Sequence, residues 1–397
     1  MIPARREAFN RQYTASRHDA FVKELERRVG VEIHFRVSET PCFFPKSLMD
    51  RLAAAAVELV TSILDRADYR QAADAVVPEA FRIPNGEDRP TFVCVDFGLV
   101  ATGQGMDFRL VELQAFPSLF GFQLALADTT LDVFDLAGLT AFFGSIDRAR
   151  YLTLVRDAIV GRHDPAEVVL MELDPIHQKT RPDFEMTEKL WGVRAVDAGD
   201  VVKRGRQLFY SRAGVLTRIA RIYNRVIPDE LVHKKDVQLP FDYREDLDVE
   251  WTAGPDWFFR LSKFSIPWFN HPCVPNTHYL SDLTELPADR ERWLLKPLFS
   301  FAGGGIIFAP TDEQIDAIPQ DQRRLYILQE RVSFTPVVET PFGPTKAELR
   351  VMMIRDGATY RPVIPLIRMG RGLMMGVDHN KGLEWVGASA ALIDPEC

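Results

Sequence analysis

Lys296 stands directly before a glycine-rich stretch in an otherwise apolar part of the chain. The run 294–308 predicts a strand that ends near this lysine, a loop containing Gly303, Gly304 and Gly305, and a second strand. Glycines let the backbone approach an anion closely, and exposed backbone N–H groups beside a lysine suit a polyphosphate. The lysine precedes the glycines, unlike the order in a P-loop, so the pattern favours a nucleotide clamped under a hairpin. An ordinary hairpin turn is the alternative interpretation.

A second lysine and a later strand carry side chains that also suit a nucleotide. Lys263 is predicted to lie on a strand neighbouring that of Lys296, where the two lysines would bracket the α- and β-phosphates. Gln329 and Glu330 end an apolar strand, an arrangement that suits an adenine pocket. A solvated lysine and a charged strand end without function are the alternatives.

Charged side chains interrupt three strands that are otherwise apolar. Asp96 lies on one strand, and Glu112 and Gln114 share a face of the next, so the hairpin gathers oxygen ligands of the kind that Mg²⁺ binds. Acids inside apolar strands are rare unless they are paired or bind a metal. Arg350 shares a strand face with Glu348 and would neutralise charge on a transferring phosphoryl group. A cross-strand ion pair is the alternative for this arginine.

Composition excludes several classes of protein. The 397 residues carry a net charge of -8 with no basic stripe, which argues against nucleic acid as a main partner. The four cysteines are scattered, so neither a disulfide framework nor a zinc site is expected. The amphipathic segment 52–64 is interrupted by a charge, and no membrane span is predicted. Free thiols fit a cytoplasmic protein.

The middle of the chain alternates short strands and helices, which predicts a small open parallel sheet. Ligands in such sheets bind beyond the carboxyl ends of the strands. A polar set follows these strands, and a polar loop is its alternative interpretation: Glu172, Asp174, Gln178, Lys179, Thr180, Asn224 and Arg225. The acidic, turn-rich stretch 240–257 is predicted to be a linker or a domain boundary.

Taken in order, these segments resemble the ATP-grasp superfamily, and in particular its circularly permuted branch, typified by the synthetase domain of glutathionylspermidine synthetase. In that branch the metal-binding strands come early and the nucleotide-binding strands come late. The resemblance covers roughly residues 90–385, and Gln114 stands where the family has asparagine. It implies the following roles: metal ligands Asp96, Glu112 and Gln114; nucleotide-binding residues Lys263, Lys296, Ser300, Gly303, Gly304, Gly305, Gln329 and Glu330; and catalytic Arg350.

The resemblance also implies a fold and a division into domains. The expected fold class is α/β (α+β), an ATP-grasp fold with a small open parallel-sheet domain inserted by circular permutation. Residues 1–150 would form a helical region and the metal-binding hairpin, 151–240 a substrate domain, and 241–397 the nucleotide-binding part of the core. Apart from the resemblance, the glycines and polar groups of the segment 368–380 suit an active-site loop.

The activity that the resemblance implies is an ATP- and Mg²⁺-dependent carboxylate–amine ligase acting through an acyl phosphate. Its partners would be a small-molecule carboxylate and an amine. Neither nucleic acid nor a membrane is expected as a partner, and the formation of a homodimer is left open. Two other functions also stay open. One is a nucleotide-binding protein without catalysis, motivated by Gln114, and the other is a small-molecule kinase.

Overall fold

The structure is a computed structural model that describes residues 1–103, 105–234, 237–300, 303–376, 380 and 382–397. Within these residues the helices are α1 (Pro3–Gln12), α2 (Ala15–Val29), α3 (Lys46–Leu64), α4 (Ala67–Ala75), α5 (Phe120–Val133), α6 (Arg148–Val160), α7 (Arg181–Trp191), α8 (Pro228–His233), α9 (Trp257–Arg260) and α10 (Asp312–Asp316).

The strands of the same residues form four sheets. They are β1 (Cys42–Pro45), β2 (Phe92–Thr102), β3 (Gly105–Gln114), β4 (Val168–Glu172), β5 (Arg194–Asp197), β6 (Val202–Arg204), β7 (Gln207–Arg212), β8 (Val215–Ile219), β9 (Arg221–Asn224), β10 (Glu250–Thr252), β11 (Thr277–Tyr279), β12 (Trp293–Pro297), β13 (Ile307–Phe308), β14 (Tyr326–Glu330), β15 (Lys346–Asp356), β16 (Thr359–Gly370) and β17 (Gly387–Asp394).

The central six-stranded sheet combines early and late parts of the chain. Its order is β1-β17-β16-β15-β2-β3, and neighbouring strands are antiparallel except for the parallel pair β1 and β17. The predicted hairpin of β2 and β3 is present, with one residue bulged beside Asp96. Because β2 pairs with β15 on its other side, the early acidic hairpin lies directly against the late strand that carries Arg350.

Helix α3 covers one face of the central sheet. Its apolar residues recur at helical spacing, and Leu52, Leu59 and Ile63 are buried against the sheet. Val95 and Leu349 meet them from the strands because alternate side chains of a strand point to one face. Each fully buried side chain of this size contributes about 1.5–3 kcal/mol relative to an exposed one.

The opposite face of the sheet changes character along β2. At one end Phe92 and Cys94 pack into a second apolar cluster with residues of α5, α6 and β4. At the other end the same face carries Asp96 and Gly98, which lie next to polar side chains of β15. A Cβ atom on Gly98 would lie 2.8 Å from Phe334, so the glycine allows the segment after β14 to cross the sheet closely.

A four-stranded sheet in the middle of the chain is parallel throughout, as predicted, with the order β10-β9-β4-β5. Helix α7 connects β4 to β5 and ends at Gly192, which adopts a left-handed conformation (φ 74°). The stretch 240–257 was predicted to be a linker or a domain boundary; because it contains β10, which extends this sheet, it is not a linker. The three predicted domains stay a prediction.

The third sheet is antiparallel, with the order β11-β14-β12-β13. The predicted hairpin around the glycine-rich loop is present, because Leu294 of β12 pairs with Phe308 of β13. The placement of Lys263 on a neighbouring strand was wrong, since this residue opens a 3₁₀ turn (Lys263–Trp268) capped by Ser262. A short meander of β6, β7 and β8 forms the fourth sheet.

In the described part of the chain, no helix combines the length and the apolarity needed to cross a membrane.

Replacing Leu349 by alanine should lower the free energy of unfolding by about 2–5 kcal/mol, because the side chain is fully buried between the central sheet and α3. Urea unfolding followed by circular dichroism measures the change. The control is Val215→Ala on β8, whose side chain is exposed and should matter little. Equal effects of both substitutions would contradict the described packing.

Candidate functional site

A cavity of about 830 Å³ lies where the central sheet, the parallel sheet and the third sheet meet. Eight of the sequence-predicted site residues line it: Glu112, Gln114, Lys263, Lys296, Ser300, Gly303, Gln329 and Arg350. The cavity therefore brings together side chains from the early hairpin, the late lysine-bearing segments and β15. Four other predicted site residues are absent from its described lining: Asp96, Gly304, Gly305 and Glu330.

Asp96 lies at the back of the central-sheet wall and is fully engaged by arginine. Its register partners are Glu112 on β3 and Arg350 on β15. The Arg350 guanidinium donates from Nε and Nη2 to the two Asp96 carboxylate oxygens, each at 2.6 Å, and both side chains are almost completely buried. A bidentate pair of this kind is among the stronger charge-assisted contacts and fixes both partners.

Arg368 of β16 completes a buried charge network. Its Nη1 donates to Asp96 Oδ2 at 3.3 Å and also to Glu348 on the neighbouring strand. Burial disfavours the Asp96 carboxylate, but Arg350 and Arg368 outweigh this cost and hold its pKa below the ordinary value. Burial raises the pKa of Glu348 to about 7 against the opposing effect of Arg368.

The two predicted nucleotide lysines face the acidic hairpin across the cavity. The Nζ atom of Lys296, on β12, lies 3.4 Å from the Val111 carbonyl oxygen, and that of Lys263 lies 4.0 Å from a Glu112 carboxylate oxygen. The pKa of Lys296 is lowered to about 8, chiefly by burial. The Glu112 carboxylate opposes this decrease, and the positive charge of Lys263 adds to it. A bound anion would therefore stabilise this pair of neighbouring lysines.

The glycine-rich loop follows β12 and borders the same space. Ser300 lines the cavity, and its carbonyl oxygen accepts a hydrogen bond of 2.8 Å from Lys263 Nζ. Gly303 and Gly305 adopt positive φ angles of 77° and 72°, and a Cβ atom on Gly305 would lie 2.8 Å from the Pro297 ring. These glycines therefore meet a conformational requirement of the loop. Residues 301 and 302 of the predicted loop lie outside the described residues.

Gln329 and Glu330, predicted together for an adenine pocket, point in different directions. Gln329 is buried, lines the cavity and leaves its Nε2 group without a hydrogen-bond partner. Glu330 pairs instead with Arg292 and belongs to the outer side of the sheet. Alternation along a strand places consecutive side chains on opposite faces, so only the glutamine of this pair faces the cavity.

Polar side chains at the carboxyl edge of the parallel sheet form the other end of the cavity. Glu172 and Arg225 lie there, joined in the lining by Asp174, Gln178, Lys179 and Thr180. Asn224 is buried outside the lining. Burial raises the pKa of Glu172 to about 8, and Arg225 opposes the increase.

Arg225 is held rigidly in this edge. Its Nη1 donates to Asp183 at 2.9 Å, and the guanidinium lies over the rings of Phe184 and Phe116. Asp183 also accepts hydrogen bonds from the backbone N–H groups of Gly121 and Phe122 at the start of α5. The aspartate therefore fixes the arginine against the helix N-terminus.

The sequence-based prediction missed several residues of the lining, above all Arg368, Lys346 and Arg331. Arg368 fell within the segment 368–380, which was expected to be a loop, although its N-terminal residues belong to β16. An arginine inside the apolar run 363–369 was the signal that could have found it. Residues 377–379 of that segment lie outside the described residues.

The predicted metal ligands do not form a cluster of three acidic, histidine or cysteine side chains, and no such cluster occurs among the residues that the structure describes. Glu112 is the accessible acid, with 30% of its side chain exposed, and Gln114 lies on the same face of β3. Mg²⁺ commonly binds one or two carboxylates and completes its shell with phosphate and water. Glu112 and Gln114 fit such a site, and Asp96 would join only by releasing Arg350.

Comparison with known proteins shows the fold. No family model matches the chain, and no curated protein matches it. Among solved structures, it is similar to a glutathione synthetase-like effector from Globodera pallida in its apo form, with 12% sequence identity and a TM-score of 0.56. The match covers 95% of this chain and 96% of that chain. The chain therefore has a mixed α/β fold like that of the glutathione synthetase-like protein.

The stability of the protein should fall as the pH rises from about 4.5 towards 8, in part because of Glu172. The pKa of Glu172 is raised to about 8 in the folded chain, so the carboxyl ionises at lower pH in the unfolded chain. Ionisation therefore stabilises the unfolded state relative to the folded state over this pH range. The contribution is at most roughly 5 kcal/mol. Glu172→Gln removes it, so urea unfolding at pH 5 and pH 8 should show a smaller difference for the variant than for the unmodified protein.

Proposed function

We propose that this protein is an ATP- and Mg²⁺-dependent ligase that joins a carboxylate to an amine through an acyl phosphate. One observation carries the proposal. The early acidic hairpin and the late lysine-bearing segments, which are widely separated along the chain, line the same cavity. The glutathione synthetase-like fold agrees with this reaction class, although the fold alone does not assign it.

The charge at one end of the cavity suits a triphosphate. Six basic side chains line this end, against the acidic side chains Glu112 and Glu348: Lys263, Lys296, Arg331, Lys346, Arg350 and Arg368. In our proposal Lys263 and Lys296 bind the α- and β-phosphates as point charges, and Ser300 and Gly303 border them from the loop. Partial burial strengthens these contacts because solvent screens them less.

The adenine would bind beside β12 and β14. Leu294, Phe308 and Gln329 line the cavity there. Apolar side chains would contact the faces of the purine, and the unpartnered Gln329 amide would donate a hydrogen bond to one of its ring nitrogens. Ligand binding would then satisfy a buried donor that otherwise destabilises the protein.

Glu112 and Gln114 would hold Mg²⁺ on the phosphate side of the cavity, and Asp96 is a further ligand if Arg350 releases it. When bound, the metal ion neutralises charge on the β- and γ-phosphates. Lys263, 4.0 Å from Glu112, keeps that carboxylate beside the phosphate-binding group.

The amine would enter at the opposite end, beside Glu172 and Arg225. Glu172 is a buried carboxyl in the cavity lining and accepts a hydrogen bond from the backbone N–H of Leu173. An ammonium group would add to the positive charge of Arg225 and favour the ionised form of this carboxyl. Exclusion of bulk water from the cavity during the reaction would protect the acyl phosphate from hydrolysis.

A nucleotide-binding protein without catalysis is the second candidate. It is favoured by the Asp96 carboxylate, because Arg350 occupies both of its oxygens and the metal site has one accessible acid. Tight ATP binding with no turnover against broad sets of acids and amines would support this candidate. A small-molecule kinase would be separated from a ligase by ¹⁸O, since only a ligase carries the label from a substrate carboxylate into inorganic phosphate.

Lys296→Ala should abolish detectable ATP binding, because a buried cation at the phosphate end is removed. Isothermal titration calorimetry with Mg²⁺ and ATP measures the loss, and circular dichroism checks that the fold is intact. Lys23→Ala on the exposed side of α2 is the matched control and should bind like the unmodified protein. ATP affinity that survives Lys296→Ala would contradict the proposed site.

Glu112→Gln should weaken the dependence of ATP binding on Mg²⁺, because it removes the accessible carboxylate of the proposed metal site. Calorimetric titrations of ATP with Mg²⁺ and with EDTA give the ratio of the two affinities. That ratio should approach one in the variant. Glu32→Gln, an exposed substitution far from this hairpin in sequence, should leave the ratio unchanged.

A further inference from the structure

Two arginines from adjacent strands reach the phosphate end of the cavity, but they differ in how their donors are used. Arg350 binds Asp96 through both Nε and Nη2, and 5% of its side chain is exposed. Arg368 contacts Asp96 and Glu348 through the single atom Nη1, and 26% of its side chain is exposed. Of these two arginines, Arg368 therefore has the more accessible guanidinium.

Arg350 has a structural reason to stay with Asp96. Removing one partner of a buried ion pair leaves an uncompensated buried charge, which is strongly destabilising. Arg350 would incur part of this cost each time it left Asp96 for a phosphate group. Arg368 carries a smaller penalty, because Nη1 can keep its contact with Glu348 while Nη2 and Nε turn towards a ligand.

Arg368 has a small neighbour on one side. Its register partner on β17 is Ala388, whose side chain also lines the cavity, and its partner on β15 is Glu348. Beyond Glu348, the position above Gly98 of β2 is covered by Phe334. The open side of Arg368 is therefore that of Ala388.

We propose that Arg368 is the catalytic arginine of this site and that Arg350 is a positioning residue that holds Asp96. This inference rests on the proposed function, which it deepens by naming the group that touches the transferring phosphoryl. Glu348 orients Arg368 in turn, through the hydrogen bond between them.

Arg368 acts in both chemical steps. In the first, a carboxylate oxygen attacks the γ-phosphorus, the bond to the β,γ-bridging oxygen breaks, and ADP leaves with the electron pair. In the second, the amine nitrogen attacks the carbonyl carbon, the C–O bond to phosphate breaks, and phosphate leaves with the electron pair and takes up the proton that the nitrogen loses. Arg368 N–H groups donate to the non-bridging phosphoryl oxygens throughout, where negative charge accumulates.

The test compares ADP with the non-hydrolysable β,γ-imido analogue of ATP, each with Mg²⁺, by calorimetry. Arg368→Gln should weaken the analogue about 10- to 100-fold, the range for one hydrogen bond to a charged group, and leave ADP affinity nearly unchanged. Arg368→Lys keeps the positive charge, so its affinity for the analogue should lie between those of Arg368→Gln and the unmodified protein. Arg361→Gln, on the exposed end of the same strand, is the control and should change neither affinity.

Arg350→Gln should lower the melting temperature, because it leaves buried Asp96 without its main partner. Equal losses of ADP and analogue affinity in Arg368→Gln would overturn the assignment. So would a selective loss of analogue affinity in Arg350→Gln with an unchanged melting temperature. Failure of the unmodified protein to bind ADP is a different result, which overturns the proposed function itself.

Discussion

The compensation of charge inside the central sheet is the constraint on which this structure depends. Asp96 and Glu348 are acids in strands that are otherwise apolar, and Arg350 and Arg368 bring the opposite charge from neighbouring strands. Isolated ionised groups in such a place would cost many kcal/mol, so the sheet is stable only with the correct partners. The strand register aligns these groups in two adjacent rows, and a shift by one residue would turn each of them towards α3.

The same face of the central sheet packs against helices at one end and borders the cavity at the other. Phe92 and Cys94 contact the helices beneath the sheet, whereas Gln114 and Glu112 border the cavity. The transition occurs within a few residues of β2, because the helices cover only part of the sheet. The third sheet and the parallel sheet close the remaining part. A rigid support beneath polar side chains is what positions them for a ligand.

Local patterns in the sequence predicted several elements of this arrangement. The β2–β3 hairpin, the hairpin around the glycines and the parallel order of the middle strands all follow from alternation, turns and strand–helix periodicity. The strand expected at Lys263 is a capped 3₁₀ turn, because Ser262 bonds the backbone there. Gln329 and Glu330 had been grouped because they are adjacent in sequence, but side-chain alternation along β14 places them on opposite faces. The partner of Asp96 could not be predicted, since Arg350 lies 254 residues away and its register depends on the assembled sheet.

The position of β17 between β1 and β16 has a consequence for how the chain folds during its synthesis. The strand pairs with β1 on one side and β16 on the other, and Lys46 at the start of α3 donates its backbone N–H to the carbonyl oxygen of Cys397. On a ribosome, the first hairpin and α3 emerge long before these late strands are made. Until those strands are synthesised, the Asp96 carboxylate has neither of its arginine partners and stays exposed to water. We expect the nascent amino-terminal portion to stay loosely organised, and to depend on chaperones, until β15 is released from the exit tunnel.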